Sequence, residues 1–484
     1  MSSSSAPAMA GLVRVRLICS TVAVVVIIIA AIVGEFTALP AARTAAAAAT
    51  VVFMLLEAVA LTRGGHIMLA FCGVATVGTL LLHPHGGAVV MHGLNSAAFV
   101  IGLFAAVSLL RDAAETSPLI QRCGDVMVRQ PPGRRYTVLS VGSHLIAVIL
   151  NFGVLTLLGV MVQRGNTLDA AGGDQRIADI RKQRMMTALL QGFAMMTVWS
   201  PLSVSFAVMQ AAIPGVDLAH LLPVQGVLTV LLLLLGWAID RLTFPPGLRG
   251  TITTPLPKPA VPPSWAPMGQ LVLLVGSVIT AVLGMAWLLD IRPVISAMVV
   301  VPLSAWLWLA VQAWRSSPLL APVLATRRLA RRLEISMPAF RTEFAVLGGA
   351  TFFGAVAAAY LTPSTIADLL AHVALPPILL TIALVWGMMV AARYGVPQIV
   401  SATLIGNGLS GLAAHGIHPL VLTSGLMGAW ALSACTTPVG AATLSIARQS
   451  GVSTKVVGRD WNGRFVLSGS VVVAVWMVVL SLMV

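Results

Sequence analysis

The stretch VLTSGLMGAWALSACTTPVGAATLSIARQSGV, residues 421–452, decides how the rest of the chain is read. It opens as an apolar helix from Val421 to Cys435, meets Thr436-Thr437-Pro438-Val439-Gly440, and resumes as a short run ending at Arg448 and Gly451-Val452. Proline has no backbone N–H and its ring clashes with the preceding turn, so a continuous helix is not expected through Pro438. In hydrocarbon, the backbone groups freed by a break need a partner, drawn from neighbouring protein, water or a bound solute. The break is therefore a candidate binding site. An earlier segment echoes it: Met185 to Trp199 is interrupted by Ser200-Pro201-Leu202-Ser203 and resumes to Ile213 before Gly215-Val216. Two broken helices in corresponding positions of two halves point to secondary transport.

Composition sets the compartment. With 58% hydrophobic and 9% charged residues and a mean hydropathy of +0.96, the chain reads as a polytopic membrane protein. The net charge of +14 sits between apolar segments rather than on a polar face, which fits the positive-inside bias and not nucleic-acid binding. Cys19, Cys72, Cys123 and Cys435 are scattered without metal-ligand spacing and read as free thiols. Arg14, Arg16 and the apolar run from Leu17 to Val33 admit a signal peptide; an uncleaved first span is the preferred reading.

Apolar runs long enough to cross a bilayer fall at 13–34, 45–62, 66–83, 90–110, 185–213, 219–241, 269–289, 293–313, 343–361, 419–450 and 464–484, eleven crossings in all. The stretches 136–162 and 376–406 carry Asn151-Phe152-Gly153 and Arg393-Tyr394-Gly395-Val396-Pro397 at their centres, which suits re-entrant hairpins. With the N-terminus in the cytoplasm, only Arg43, Arg292 and Arg393 among the 29 Lys and Arg fall elsewhere. The C-terminus then lies outside, and 111–135, 163–184, 243–268, 315–342 and 451–463 are cytoplasmic. The Pro-rich segment 243–268 reads as a tether between halves. Arg327 to Leu333 reads as an interfacial helix with snorkelling arginines, or as a lipid-binding cluster.

Sliding the chain on itself aligns Phe99 with Phe344, Ser117-Pro118 with Thr362-Pro363, and Gly142 with Gly387 at one constant offset. Further on, Gly153-Val154 meets Gly395-Val396, Ser200-Pro201 meets Thr437-Pro438, and Gly215-Val216 meets Gly451-Val452. The expected organisation is N-terminal scaffold spans in 1–89, a first repeat in 90–242, the linker 243–268, further scaffold with a basic segment in 269–342, and a second repeat in 343–484. Five crossings separate 90–110 from 343–361, so the repeats are inverted about an axis in the membrane plane.

A span, a connecting segment, a hairpin and a helix broken at Ser/Thr-Pro, repeated with inversion, resembles the ion transporter superfamily. Its members include divalent anion/sodium symporters, arsenite permease-like proteins and the large membrane subunits of tripartite binding-protein-dependent transporters. Thr437-Pro438-Val439-Gly440 with Gly451-Val452-Ser453, and Ser200-Pro201 with Gly215-Val216-Asp217, look most like those large subunits. The resemblance covers about residues 90–242 and 343–484. It implies elevator-like movement of a hairpin-containing core against a scaffold, in a homodimer of the bacterial inner membrane. The Ser-Asn-Thr triplets of divalent anion symporters are missing: the first tip offers Asn151 and the second Arg393-Tyr394-Gly395.

The four central elements, 136–162, 185–213, 376–406 and 419–447, contain no Asp or Glu, which removes the alternating-carboxylate device of a cation antiporter. They do present two resumed half-helix N-termini, which favour an anion, and an arginine suited to a carboxylate or oxyanion. The expected substrate-binding set is Asn151, Gly153, Ser200, Pro201, Ser203, Arg393, Gly395, Gln398, Thr436, Thr437 and Pro438. A coupling sodium ion would sit near Asn151, Ser200 and Thr437. Each has a plainer role: Asn151 and Gln398 satisfying loose backbone, Ser200 and Thr437 capping a half-helix, Arg393 snorkelling. His144 in the first hairpin is a packed residue or a proton relay. No nucleotide fingerprint, catalytic constellation or cofactor motif is present in the sequence. The expected function is secondary transport of a small organic anion coupled to sodium or protons. The alternatives are an arsenite-permease-like exporter or ion antiporter, and a non-transporting membrane component. A separate binding-protein partner is left open.

Overall fold

In the computed structural model the described residues are 5–484 apart from 38, 214, 245–263, 315–316, 363, 366–367, 369–374, 409–412 and 414. Most of the linker expected at 243–268, and Pro363 of the Thr362-Pro363 pair, lie outside the described residues. Among the described residues all regular structure is helical.

The first half runs α1 (Ser5–Thr37), α2 (Pro40–Glu57), α3 (Arg63–Leu82), α4 (Gly86–Glu115), α5 (Pro118–Val128), α6 (Pro132–Leu150), α7 (Gly153–Gly165), α8 (Gln175–Trp199), α9 (Val204–Ala212) and α10 (Leu218–Thr243). The second runs α11 (Ala266–Leu289), α12 (Pro293–Trp314), α13 (Ala321–Ala339), α14 (Arg341–Ala358), α15 (Pro377–Arg393), α16 (Gln398–Asn407), α17 (Pro419–Ala434), α18 (Ala441–Ser450) and α19 (Gly463–Ser481). A π-helical turn, Val456–Trp461, precedes α19.

Among the described residues, 9 helical segments are long and apolar enough to cross a membrane. They coincide with nine of the eleven expected spans. The other two fall on α14, which starts at Arg341 and carries Glu343, and on α17, which the break limits to 16 residues. The chain is a multi-pass membrane protein. Two expected boundaries move. The apolar run at 185 begins inside α8, whose true start is set by Asp174: its carboxylate accepts from the N–H of Arg176 at 2.8 Å and of Ile177 at 3.3 Å. The polar first turns of α8 are helical because they are capped, which an apolarity scan does not see. Likewise α4 extends past the apolar run to Glu115, where Arg111 Nε donates to Glu115 Oε1 at 2.7 Å.

Two packed groups emerge. In one, α4 is buried between α12 and α14 and also meets α1, α2 and α3. Its ends carry ion pairs. Glu57, buried in α2, accepts from Ser20 Oγ at 2.7 Å and Arg341 Nη1 at 3.0 Å, and Arg292 holds Glu35 at 2.6 Å. In the other, α6, α10 and α17 pack on α8, while α15 and α19 pack on α17. Glycine permits the closest approach: a Cβ on Gly192 of α8 would overlap the backbone carbonyl of Ser140 in α6. Small residues at such crossings let apolar helices gain dispersion contacts that lipid would otherwise supply. The basic segment with Arg327 and Arg332 is helical, forming α13.

Candidate functional site

Both expected interruptions are present. α8 ends at Trp199 and α9 begins at Val204; between them the Ser200 carbonyl accepts from Ser203 N–H at 3.0 Å and Ser203 Oγ at 2.7 Å. Ser200 Oγ accepts from Leu202 N–H at 3.3 Å, and Ser203 Oγ accepts from Phe206 N–H at 3.2 Å. Both serines are buried, as is Pro201. These hydroxyls satisfy the backbone that the break frees, and Ser205 Oγ adds a bond back to the Thr197 carbonyl. The second break, between Ala434 and Ala441, folds the carbonyl of Ser433 onto the N–H groups of Thr436 and Thr437.

The two helix pairs meet the breaks differently. α15 turns into α16 through residues 394–397, where Gly395 takes φ +96°, a conformation open to glycine. Thr437 Oγ1 donates to the carbonyl of Ala392 at 2.6 Å, and Gln398 Nε2 donates to the carbonyl of Trp430 at 3.1 Å. The tip with Gly395 and Gln398 is therefore bolted to the second break at Thr437. Arg393 lies in the last turn of α15, beside Ala392, with an exposed side chain. Thr436 is fixed from the other side: a Cβ on Gly458 of the π-helical turn would come within 2.8 Å of its carbonyl oxygen. Pro438 is half-buried and Val439 exposed, so the break opens on that side.

α6 turns into α7 at Asn151 and Phe152. Asn151 has φ 49° and ψ −130°, a strained combination for a residue with a Cβ. Its N–H donates to Ala147 and its carbonyl accepts from Val154. Phe152 packs on Phe193 of α8, with ring centroids 4.9 Å apart. This tip is held to α8 upstream of Ser200 rather than at the break. His144 is buried in α6 and its Nε2 accepts from Trp199 Nε1 at 3.1 Å, locking the residue before the break to the hairpin.

Three features escape a reading of the sequence. Arg111, expected in a cytoplasmic connection, reaches the first tip: a Cβ on Gly153 would lie 3.0 Å from its Nε and 3.5 Å from Glu115 Oε1. Ser433 Oγ, one turn before the second break, is among the buried polar atoms without a hydrogen-bond partner among the described residues, the type of atom a bound solute or water satisfies. Finally, Tyr136 donates to Gln191, whose Nε2 donates to Asn462 Oδ1 at 2.9 Å, a buried chain joining α6, α8 and the turn before α19. Only the position of Arg111 next to a long apolar run could have hinted at the first. Among the described residues no group of three His, Cys, Asp or Glu could hold a metal ion. His83 and His85 lie with ring centroids 6.4 Å apart.

The second helices of the pairs pack crosswise. α7 lies against α18, the half-helix after the second break, where Gln449 Nε2 donates to the Leu155 carbonyl at 3.0 Å. α16 lies against α9, the half-helix after the first break, where a Cβ on Gly406 would come within 2.7 Å of Ala212 Cβ.

No protein-family model matches the chain, and no curated protein matches its sequence. The fold is similar to that in a crystal structure of the Alcanivorax borkumensis YdaH transporter, with a TM-score of 0.53 over 86% of this chain and 98% of that one. The two share 14% identity, so the likeness speaks for the fold alone.

Proposed function

We propose that this chain is a secondary active transporter for a small organic anion, probed best with carboxylates, coupled to sodium or protons across the bacterial inner membrane. The observation that carries the reading is the crosswise packing of α7 on α18 and α16 on α9. Each hairpin-like pair touches the resumed half of the other repeat's broken helix. An inverted repeat about an axis between the two breaks accounts for that exchange, and places the two tips on opposite sides of one centre. The same arrangement is the basis for reading the hairpin-like pairs and broken helices, α6–α9 and α15–α18, as a moving core against a scaffold that includes α1–α3 and α11–α13. Its resemblance to the ion transporter superfamily, and the fold shared with a transporter structure, support this assignment.

Within the core the substrate site is assigned to the second break and its tip: Thr436, Thr437, Pro438, Ser433, Gly395 and Gln398, with Arg393 at the entrance. Asn151, Gly153, Ser200, Pro201 and Ser203 complete the expected set on the other side. Its anion preference rests on the resumed half-helix N-terminus at Gly440-Ala441, on Arg393 as the residue next to Ala392, whose carbonyl Thr437 bonds, and on the lack of Asp and Glu in 376–406 and 419–447. A coupling sodium ion is proposed near Asn151, Ser200 or Thr437, which hold separate contacts: Asn151 at the tip packed on Phe193, Thr437 on the Ala392 carbonyl. The N-terminus is assigned to the cytoplasm, the C-terminus to the periplasm, and the assembly to a homodimer. The test is uptake by proteoliposomes of a labelled carboxylate panel under imposed sodium or proton gradients. Gradient-driven accumulation supports the reading; a panel that is neither bound nor moved removes it.

A further inference from the structure

α13 is a long helix too charged to cross hydrocarbon: it carries Arg327, Arg328, Arg331, Arg332 and Glu334. It packs on α12 and α1, and two side-chain bonds hold it there. Trp306 Nε1 of α12 donates to Thr326 Oγ1 at 3.0 Å, and Arg328 donates to Thr116 Oγ1 at the C-terminal end of α4. The buried residues Ala321, Ala325 and Met337 fix the inward face. Helical spacing then puts Arg327 and Arg331, four residues apart, on the other face, where both are exposed. Val323, Leu324 and Ile335 share that face and are 46%, 40% and 65% exposed. Glu334 is the helix's one carboxylate, yet neither Arg327 nor Arg331 has a hydrogen bond or ion pair with it, or with any other group among the described residues.

Two unpaired guanidinium groups one turn apart, set between exposed aliphatic side chains, are the pattern of a helix lying in the membrane surface. We propose that the exposed face of α13 is a docking surface for anionic phospholipid, Arg327 and Arg331 meeting headgroup phosphates while Val323, Leu324 and Ile335 lie against the acyl boundary. Charge complementarity chooses the occupant. A second copy of this strongly basic chain would bring like charge to the arginines, whereas the anionic lipids of the inner leaflet bring the opposite sign. The helices beneath do not neutralise the face: α12 has no carboxylate, and Glu35 of α1 is held by Arg292. The indole of Trp306, bonded to Thr326, suits a position at the interface between hydrocarbon and water. In the transport reading α13 belongs to the scaffold, so lipid held here anchors the part that stays still; the lipid contact itself does not depend on that reading.

The test uses the full chain in detergent, titrated with phosphatidylglycerol and with phosphatidylcholine of the same acyl chains, with bound lipid counted by native mass spectrometry at low and high ionic strength. Two arginines near headgroups predict up to about thirtyfold tighter binding of the anionic lipid. The expected results are that preference in the native protein, the loss of most of it in Arg327→Gln/Arg331→Gln and at high ionic strength, and its retention in Arg459→Gln/Arg464→Gln, which removes an exposed basic pair elsewhere. Equal binding of the two lipids by the native protein overturns the proposal, whichever variants fold. An equal loss of preference in the two variants also overturns it, since the chain's basic surface as a whole would then be the cause. So does displacement of phosphatidylglycerol by an equal concentration of glycerol phosphate, the mark of a site for small anions. A change in oligomeric mass rather than lipid preference in the Arg327→Gln/Arg331→Gln variant would make the face a contact between copies of the chain, and overturns it as well.

Discussion

Thr437 Oγ1 donates to the carbonyl oxygen of Ala392 across 2.6 Å, joining the break after α17 to the last turn of α15. The hydroxyl is buried, and its removal takes one hydrogen bond from the Ala392 carbonyl, which keeps the Gly395 N–H at 3.1 Å. Thr437→Val is expected to cost about 0.5–1.5 kcal/mol, because the shape is kept and one bond lost. Thr437→Ser keeps the bond and should retain most of the stability. Thermal unfolding of the two variants side by side checks the contrast.

Asn151 turns α6 into α7 at φ 49°. Glycine accepts this conformation without a Cβ, so Asn151→Gly should fold at least as well as the native chain, while Asn151→Val is expected to lose about 1–3 kcal/mol. The glycine variant also separates roles. If it folds but no longer transports, the amide contacts solute or ion; if transport is unchanged, Asn151 serves the turn alone.

Gly192 allows α8 to cross α6 against the Ser140 carbonyl. A methyl there meets backbone, which cannot swing aside, so Gly192→Ala should destabilise by about 1–3 kcal/mol. Gly276, in α11, has open space where a Cβ would go, and Gly276→Ala is expected to stay within about 0.5 kcal/mol of the native chain. Melting temperatures of both variants in the same detergent provide the comparison.

Cys123 lies buried in the connecting helix α5, where its thiol donates to the Pro267 carbonyl at 3.3 Å. Burial pushes its pKa up to about 11, with Arg122 acting weakly in the opposite sense. The thiolate is the reactive form, so at pH 8 about one thiol in a thousand is available and maleimide labelling should be very slow. Labelling rises only as the pH approaches 11 or when the chain unfolds. Rapid modification at neutral pH in the folded protein would show that α5 is not docked on α11.

The breaks and tips are legible in the sequence because the residues that make them are local punctuation. Pro201 and Pro438 stand at helix interruptions, although Pro223, Pro302 and Pro338 lie inside helices, and Gly395 permits a positive φ through its missing Cβ. The helical starts were less legible: polar turns capped by Asp174 carry no apolar signal, so α8 reads as beginning near Met185. Contacts between distant residues are not legible at all. Nothing local says that Gly153 abuts Arg111, that Gln191 links Tyr136 to Asn462, or that Gln449 crosses to Leu155. The serines at the first break read as ligands or caps from the sequence, and their observed bonds are caps.

The measurement that bears most directly on the central claim is carboxylate uptake by proteoliposomes holding the native chain, Gln398→Ala and Thr437→Ser, under separate sodium and proton gradients. The account predicts accumulation of one carboxylate class under one of the gradients, reduced by Gln398→Ala and largely kept by Thr437→Ser. No accumulation under either gradient, or equal uptake by the native chain and Gln398→Ala, would contradict it.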